Sequence, residues 1–263
     1  MASRVRPFKA LRALRYVPYV VNWAEVLAAY YRNRDVQRLH LRSGVRLEAE
    51  GSVPLMRLFK EVWRDDCYRL RAPRLSLGAT VIDIGANVGL FAIYAAINFA
   101  AKVVYCFEPS ATAVSSLRKN IEANGLEGRI QVFRFGVAGA KGTREFLVSP
   151  TEVLNRICEV GSTAGSRVVI ECVTLQDVFE LCRVERCDFL KVDCEGAEYE
   201  IFLSAPPGLL KRFQRIAIEW HTSSTNRPEE LVSILQNAGF RVALQRLPRK
   251  STGYIYAQRG FDR

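Results

Sequence analysis

Two carboxylates close neighbouring apolar runs, and their surroundings define what they could bind. In "TVIDIGANVG", Asp83 ends a short apolar segment and is followed by Gly85, Ala86, Asn87 and Gly89. A carboxylate at such a turn repels a pyrophosphate and pairs well with an ammonium group. Gly85 lets the backbone turn sharply and approach a ligand, and Gly89 lets the next helix pack on the strand. Glu108 ends "KVVYCFE" 25 residues after Asp83 and precedes Pro109. A carboxylate there can accept hydrogen bonds from two adjacent hydroxyls of a ribose. The glycine spacing is G-x-x-x-G, and the dinucleotide pattern G-x-G-x-x-G is absent. A cationic head group, a ribose and an adenine describe S-adenosylmethionine better than any nicotinamide dinucleotide.

Later strand ends supply the remaining candidates. Gly136, Val137 and Ala138 in "RIQVFRFGVAG" offer a flat apolar surface for an adenine ring. In "FLKVDCEGAEYE", Lys191 and Asp193 alternate with Val192 and face one side of a strand, with Glu195 and Glu198 at the following turn and helix start. In "IAIEWHTS", Glu219 and His221 share a side, and His221 has the best intrinsic pKa for a general base. Asp193, Glu195 and His221 are therefore the catalytic candidates. Lys191, Glu195, Glu219 and His221 are the expected acceptor contacts. No N/D-P-P-Y/F element is present, which argues against methylation of exocyclic base amines.

These residues need a scaffold that brings strand ends together. From Ala79 onward, strand patterns alternate with helical ones: "TVIDI", "GLFAIYAAINFA", "KVVYCFE", "ATAVSSLRKNIEANG" and so on to "PEELVSILQNAGF". The alternation predicts an α/β fold, a mostly parallel sheet with helices on both faces, closed by an antiparallel pair, "RVALQRL" and "GYIYAQR". Ligands bind beyond the carboxyl ends of such strands. "RIQVFRFGVA" reads as one strand, and Thr174 and Asp177 have capping-box spacing. Residues 1–75 form a separate head ahead of a domain over 76–263. In the head a basic amphipathic stretch opens the chain, Pro18 suits the first turn of a helix running to Tyr31, "LHLRSGVRLEAEG" reads as a hairpin about Ser43–Gly44, and "VPLMRLFKEVW" reads as a helix.

The chain has 263 residues, 49% of them hydrophobic and 25% charged, which supports a large core and excludes disorder. Of the net charge of +11, residues 1–74 hold 16 Lys/Arg against 7 Asp/Glu. This basic head suggests an anionic partner: a phosphorylated acceptor, nucleic acid, or an anionic membrane met peripherally through residues 1–31. The apolar stretch Val17–Tyr31 contains Asn22 and Glu25 and is too short to cross a bilayer. No secretory signal is recognisable, so a cytoplasmic location is expected. Seven cysteines without a C-x-x-C, and only two histidines, predict reduced thiols and no metal site.

"VIDIGANVGLF", "VVYCFEPSATAVSSLRKNIEANGL", "RIQVFRFGVAG", "VTLQDVFE", "FLKVDCEGAEYEIF" and "IAIEWH" resemble, in order and spacing, the FkbM family of S-adenosylmethionine-dependent methyltransferases. The resemblance covers roughly residues 38–258, and "KVDCEGAE" is its most specific part. It implies a Rossmann-like class I methyltransferase with a seven-stranded sheet. The implied activity is O-methylation of a hydroxyl on a small molecule, sugar or lipid-linked acceptor. Asp83, Gly85, Ala86, Asn87, Gly89, Glu108, Pro109, Val137 and Asp193 would then serve the cofactor. Two other readings stay open at this point: an RNA methyltransferase using the basic head, and a catalytically inactive cofactor-binding or membrane-surface protein.

Overall fold

The computed structural model describes residues 14–148, 156–157, 166–222, 226–248 and 251–260, apart from 52 and 72. After a 3-10 turn at Leu14–Tyr16 come helix α1 (Trp23–Tyr31), the hairpin β1 (Arg38–His40) and β2 (Arg46–Glu48), and α2 (Leu55–Phe59), which widens into a π-helical turn over Lys60–Arg64. Then follow β3 (Thr80–Ile84), α3 (Leu90–Asn98), β4 (Val103–Phe107), α4 (Ala111–Ala123) and β5 (Ile130–Phe133). Next are β6 (Gly136–Val137), β7 (Gly142–Val148), β8 (Arg156–Ile157), β9 (Ser166–Val173) and α5 (Leu175–Cys182). The chain continues with β10 (Cys187–Val192), α6 (Glu198–Leu203), β11 (Phe213–His221), α7 (Pro228–Asn237), β12 (Arg241–Arg246) and β13 (Thr252–Gln258).

Seven strands form one sheet in the order β12-β13-β11-β10-β3-β4-β5. All pairings among β11, β10, β3, β4 and β5 are parallel, and β13 runs antiparallel to both of its neighbours. Strand order reverses between β3 and β10, so the ends of these two strands flank the switch point where α/β sheets take ligands. Because helices cover both faces, the central strands are apolar almost without alternation: Val81, Ile82 and Ile84 of β3 are all buried. Val81, Val104 and Cys106 pack on one side with α3 and the N-terminal segment. Ile82, Ile84 and Phe107 pack on the other with Val178, Phe179, Phe202 and Leu231. Thr174 and Asp177 make the expected capping box, Pro228 stands in the first turn of α7, and Gly239 stops that helix at φ +88°.

Three local expectations change. The helix predicted from Pro18 starts only at Trp23, because residues 19–21 pair with the hairpin: Val21 N donates to His40 O at 2.7 Å and Arg42 N to Tyr19 O at 2.9 Å. "RIQVFRFGVA" is broken, with β5 in the main sheet and β6 in a second, four-stranded sheet of order β6-β9-β7-β8. "RVVIECV" therefore leaves the main sheet as β9. The opening basic stretch over 1–13 lies outside the described residues, as does Cys158; the other six cysteines carry free thiols.

The N-terminal segment is joined to the sheet's helices by specific polar contacts. Asn120 of α4 accepts from Glu48 N (2.7 Å) and donates to Glu48 O (2.8 Å), and Asn124 repeats this with Arg46 (2.9 and 2.7 Å), so two amide side chains extend the edge of the hairpin. Trp63 Nε1 donates to Leu90 O at 3.3 Å, and Tyr256 Oη to Cys67 O at 2.7 Å. Among the described residues no helix is long and apolar enough to cross a membrane.

Candidate active site

A cavity opens at the switch point. Its walls come from the turns after β3, β4, β5 and β10, from Glu219 within β11, and from α2 and Tyr68 of the N-terminal segment.

The turn after β3 is shaped by a close approach. Gly85 stands at φ +75°, and a Cβ placed on it would lie 1.9 Å from the Asp193 carbonyl oxygen, so both conformation and space require glycine. Ala86 and Asn87 continue the wall. The Asn87 N–H donates to Glu108 Oε2 and the Ser110 N–H to Glu108 Oε1, each at 2.9 Å. Each carboxylate oxygen thus keeps acceptor capacity on the cavity wall. Burial pushes Glu108 up to about 6, and these two backbone donors hold it from rising further. Asn87 Oδ1 is buried without a partner among the described residues, leaving one more acceptor at this end. Pro109, Phe135, Gly136 and Val137 provide apolar surface beside Glu108.

Asp83 is not on this wall. It is fully buried, and its Oδ1 lies 3.1 Å from Lys191 Nζ, whose side chain is 4% exposed. Lys191 Nζ also donates to the Gly85 and Ile84 carbonyls, at 2.5 and 3.3 Å. Burial raises Asp83, opposed by Lys191; burial disfavours the lysine charge, but Asp83 and Asp193 outweigh it and raise Lys191. The expected anchor for an ammonium group is thus already neutralised by the chain's own ammonium. Lys191, expected to meet the acceptor, lines the cavity but spends its charge clamping the Gly85 turn. Gly89 also stays off the wall: it caps α3 at φ +89°, and its missing Cβ leaves room for Leu117 Cδ1, 2.2 Å from where that atom would stand.

At the opposite end, Asp193, Glu195 and Glu219 meet on the wall. Tyr68 Oη donates to Asp193 Oδ2 at 3.0 Å and lies 3.4 Å from Glu219 Oε2. Burial, then the Asp193 charge, lift Glu195 to about 7 and Glu219 to about 8, with His221 pulling both down. His221 stands behind this wall, with Nε2 3.3 Å from Glu195 Oε2 and Nδ1 3.1 Å from Glu198 Oε1. Burial disfavours its charge, but the bond to Glu198 and the surrounding carboxylates prevail and hold it up at about 10. A histidine already protonated at neutral pH accepts no proton, so His221 does not fit the expected role of general base. Glu198, at the start of α6, is fully buried and accepts from the N–H groups of Cys194 and Gly196, each at 2.9 Å.

Sequence reading missed Tyr68, Arg57, Glu61 and Phe135. Arg57 and Glu61 line the cavity from the N-terminal segment and pair with each other at 2.9 Å. Their spacing of four residues is visible in the sequence, but nothing local shows which way that helix faces. Tyr68 packs edge-on to Phe91 and Tyr254, with ring centroids 5.3 and 5.9 Å apart, and no sequence signal separates it from an ordinary core tyrosine.

Residues 83–242 match the family described as the methyltransferase FkbM domain. The 31-O-demethyl-FK506 methyltransferase FkbM of Streptomyces tacrolimicus is 24% identical over 242 residues, covering 81% of this chain and 92% of that protein. Methyltransferase sdnD of Sordaria araneosa is 25% identical over 218 residues, covering 72% and 83%. The AMB antimetabolite synthetase AmbE of Pseudomonas aeruginosa is 25% identical over 88% of this chain, which spans only 12% of that much longer protein. Among solved structures, an rRNA methylase from Streptococcus thermophilus aligns with a TM-score of 0.48 at 14% identity, over 73% of this chain and 93% of that one. With more than half of its residues matched to the family and the match running from Asp83 across every strand end of the cavity, the chain belongs to the FkbM methyltransferases.

Proposed function

We propose that this protein transfers a methyl group from S-adenosylmethionine to a hydroxyl oxygen of a small-molecule or glycan acceptor. The observation that carries this reading is the asymmetry of the cavity: Glu108, with free acceptor capacity beside apolar surface, at one end, and three converging carboxylates at the other.

The first end suits a nucleoside. Glu108 would accept from the ribose hydroxyls, the backbone at Gly85 and Ala86 lets the methionyl part approach, and Phe135, Gly136 and Val137 would flank the adenine. The bound cofactor supplies a methyl group already activated on a sulfonium, so the protein's work is positioning and excluding water. In the transfer the methyl carbon–sulfur bond breaks with its electron pair left on sulfur, and a bond forms from the acceptor oxygen to the methyl. The acceptor proton must leave as that bond forms. Asp193 is held by Tyr68 and Glu195 by His221, whereas Glu219 meets the Tyr68 hydroxyl at the longer distance of 3.4 Å. Glu219, whose own proton leaves as the pH rises through about 8, is the proton acceptor in this proposal, so turnover is expected to rise through that range. Tyr68 keeps Asp193 and Glu219 side by side.

The charge of the wall also speaks to the acceptor. Glu61, Glu108, Asp193, Glu195 and Glu219 face the cavity against Arg57 and Lys191, both of which are paired. Such a wall disfavours a polyanion at the point of transfer, which weighs against RNA despite the basic head.

The test is methyl-labelled cofactor incubated with fractionated extract and with a panel of hydroxylated small molecules and glycans. Label is expected in a small-molecule or glycan fraction, and Glu219→Gln is expected to bind S-adenosylhomocysteine normally while losing roughly a hundredfold or more in turnover. Label appearing only in RNA, or tight cofactor binding with no turnover on any fraction, would overturn the assignment.

A further inference from the structure

Two carboxylates of the wall that faces the acceptor, together with His221 behind it, assemble a mixed nitrogen and oxygen donor set. One carboxylate oxygen each from Asp193 and Glu195 and one ring nitrogen of His221 lie within 4.8 Å of one another. Glu195 Oε2 and His221 Nε2 are 3.3 Å apart. Two neighbouring ligands of a divalent cation, each about 2.2 Å from it, stand roughly 3.1 Å apart, so this separation, which is also that of a direct ion pair, admits both atoms on one ion.

A separate feature aims the imidazole. Glu198 Oε1 meets His221 Nδ1 at 3.1 Å, and Glu198 is itself fixed by the backbone N–H groups of Cys194 and Gly196. Metal-binding histidines are oriented by a carboxylate on the nitrogen that does not coordinate. Here that carboxylate is entirely buried and off the cavity wall, and it turns Nε2 toward Glu195 and Asp193.

We infer that Asp193, Glu195 and His221 form a binding site for a divalent cation, which displaces the Nε2 proton of His221 to solvent as it binds, so that His221 coordinates through Nε2 while Nδ1–H is donated to Glu198. One nitrogen and two carboxylate oxygens suit Mn²⁺, Mg²⁺ or Zn²⁺ rather than a soft ion. Three protein ligands leave coordination positions open to the cavity, which fits an acceptor offering two neighbouring oxygens, such as a vicinal diol or a hydroxyl beside a carbonyl. A hydroxyl on such a cation is a stronger acid; its O–H proton goes to Glu219, and the freed oxygen takes the methyl group. This acceptor class rests on the methyl-transfer reading above, whereas the cation site itself does not.

The experiment is titration of chelator-treated, full-length protein with Mn²⁺, followed by the electron paramagnetic resonance signal of the free ion, alongside calorimetric titration with S-adenosylhomocysteine. One Mn²⁺ per chain is expected. His221→Gln and Glu195→Gln should each weaken Mn²⁺ binding at least about tenfold while leaving S-adenosylhomocysteine binding unchanged. Glu145→Gln, an exposed acid on the second sheet, should leave both unchanged. Wild-type protein that binds S-adenosylhomocysteine but no Mn²⁺ would overturn the cation site and leave the methyl-transfer reading standing, as would Mn²⁺ binding that both site variants retain. Mn²⁺ binding without S-adenosylhomocysteine binding would support the cation site and sink the methyl-transfer reading.

Discussion

At the cofactor end of the cavity, Gly85, Asn87 and Glu108 come from two adjacent strand ends and meet through the backbone: two N–H groups hold one carboxylate, and one glycine admits one carbonyl. At the acceptor end, Tyr68, Asp193, Glu195, Glu219 and His221 come from three distant stretches and meet through side chains alone. The first arrangement is made by any chain that folds this sheet. The second depends on a balance among buried charges, and its acids Glu195 and Glu219, at about 7 and about 8, are held further from their ordinary range than Glu108 at about 6. Lys191 ties the two ends together, since it touches Gly85 O, Asp83 and Asp193.

Breaking that tie should have the largest effect. Lys191→Met leaves Asp83 buried and unpaired, and a loss of about 3–5 kcal/mol is expected; thermal or urea unfolding reads it. The double variant Asp83→Asn, Lys191→Met should recover part of that loss. If the double variant is no more stable than the single one, the pair is not what holds the turn. Gly85→Ala attacks the same junction sterically. A residue at φ +75° with no room for a Cβ should cost about 3 kcal/mol and abolish S-adenosylhomocysteine binding.

Glu108→Gln separates the two ends. Losing a charged acceptor of two hydroxyls should weaken S-adenosylhomocysteine about 10–100-fold. In the wild type the affinity should fall as the pH drops through about 6, where Glu108 takes up its proton. Stability of the free protein runs the other way. The raised value favours the protonated form in the fold, so this contribution is complete below the ordinary value of 4.5 and is lost as the pH rises through about 6, roughly 2 kcal/mol in all. Unfolding free energies measured across this range, with and without the ligand, check both signs.

The smallest effect expected is that of Tyr68→Phe. Removing one hydroxyl should cost about 1 kcal/mol of stability and leave cofactor affinity unchanged. Turnover and its pH profile should shift, because Asp193 and Glu219 lose the group between them. An unchanged pH profile would reduce Tyr68 to a packing residue.

Part of the site was legible because it is local. An acid ending an apolar run, followed by a glycine turn, marks a strand end wherever the strand later sits, so Gly85, Ala86, Asn87, Glu108, Pro109 and Val137 could be read from spacing and do line the cavity. The alternation of strands and helices likewise foretold a parallel sheet with an antiparallel strand near its C-terminus. The break in "RIQVFRFGVA" was hidden because both halves are apolar and only pairing partners tell them apart.

What the sequence alone determined is which residues stand at strand ends and that those ends converge on one ligand site, because hydrophobic periodicity and glycine turns act over a few residues. Only the tertiary structure decided what those residues are free to do. Asp83 and Lys191 are partners because β10 lies beside β3 with these two residues in register, an adjacency between positions more than a hundred residues apart. The charge on His221 is set by Glu195 and Glu198 beside it, and Tyr68 reaches the cavity because the N-terminal segment packs across α3. Burial and neighbouring charge govern proton affinity, and both exist only after the chain has folded.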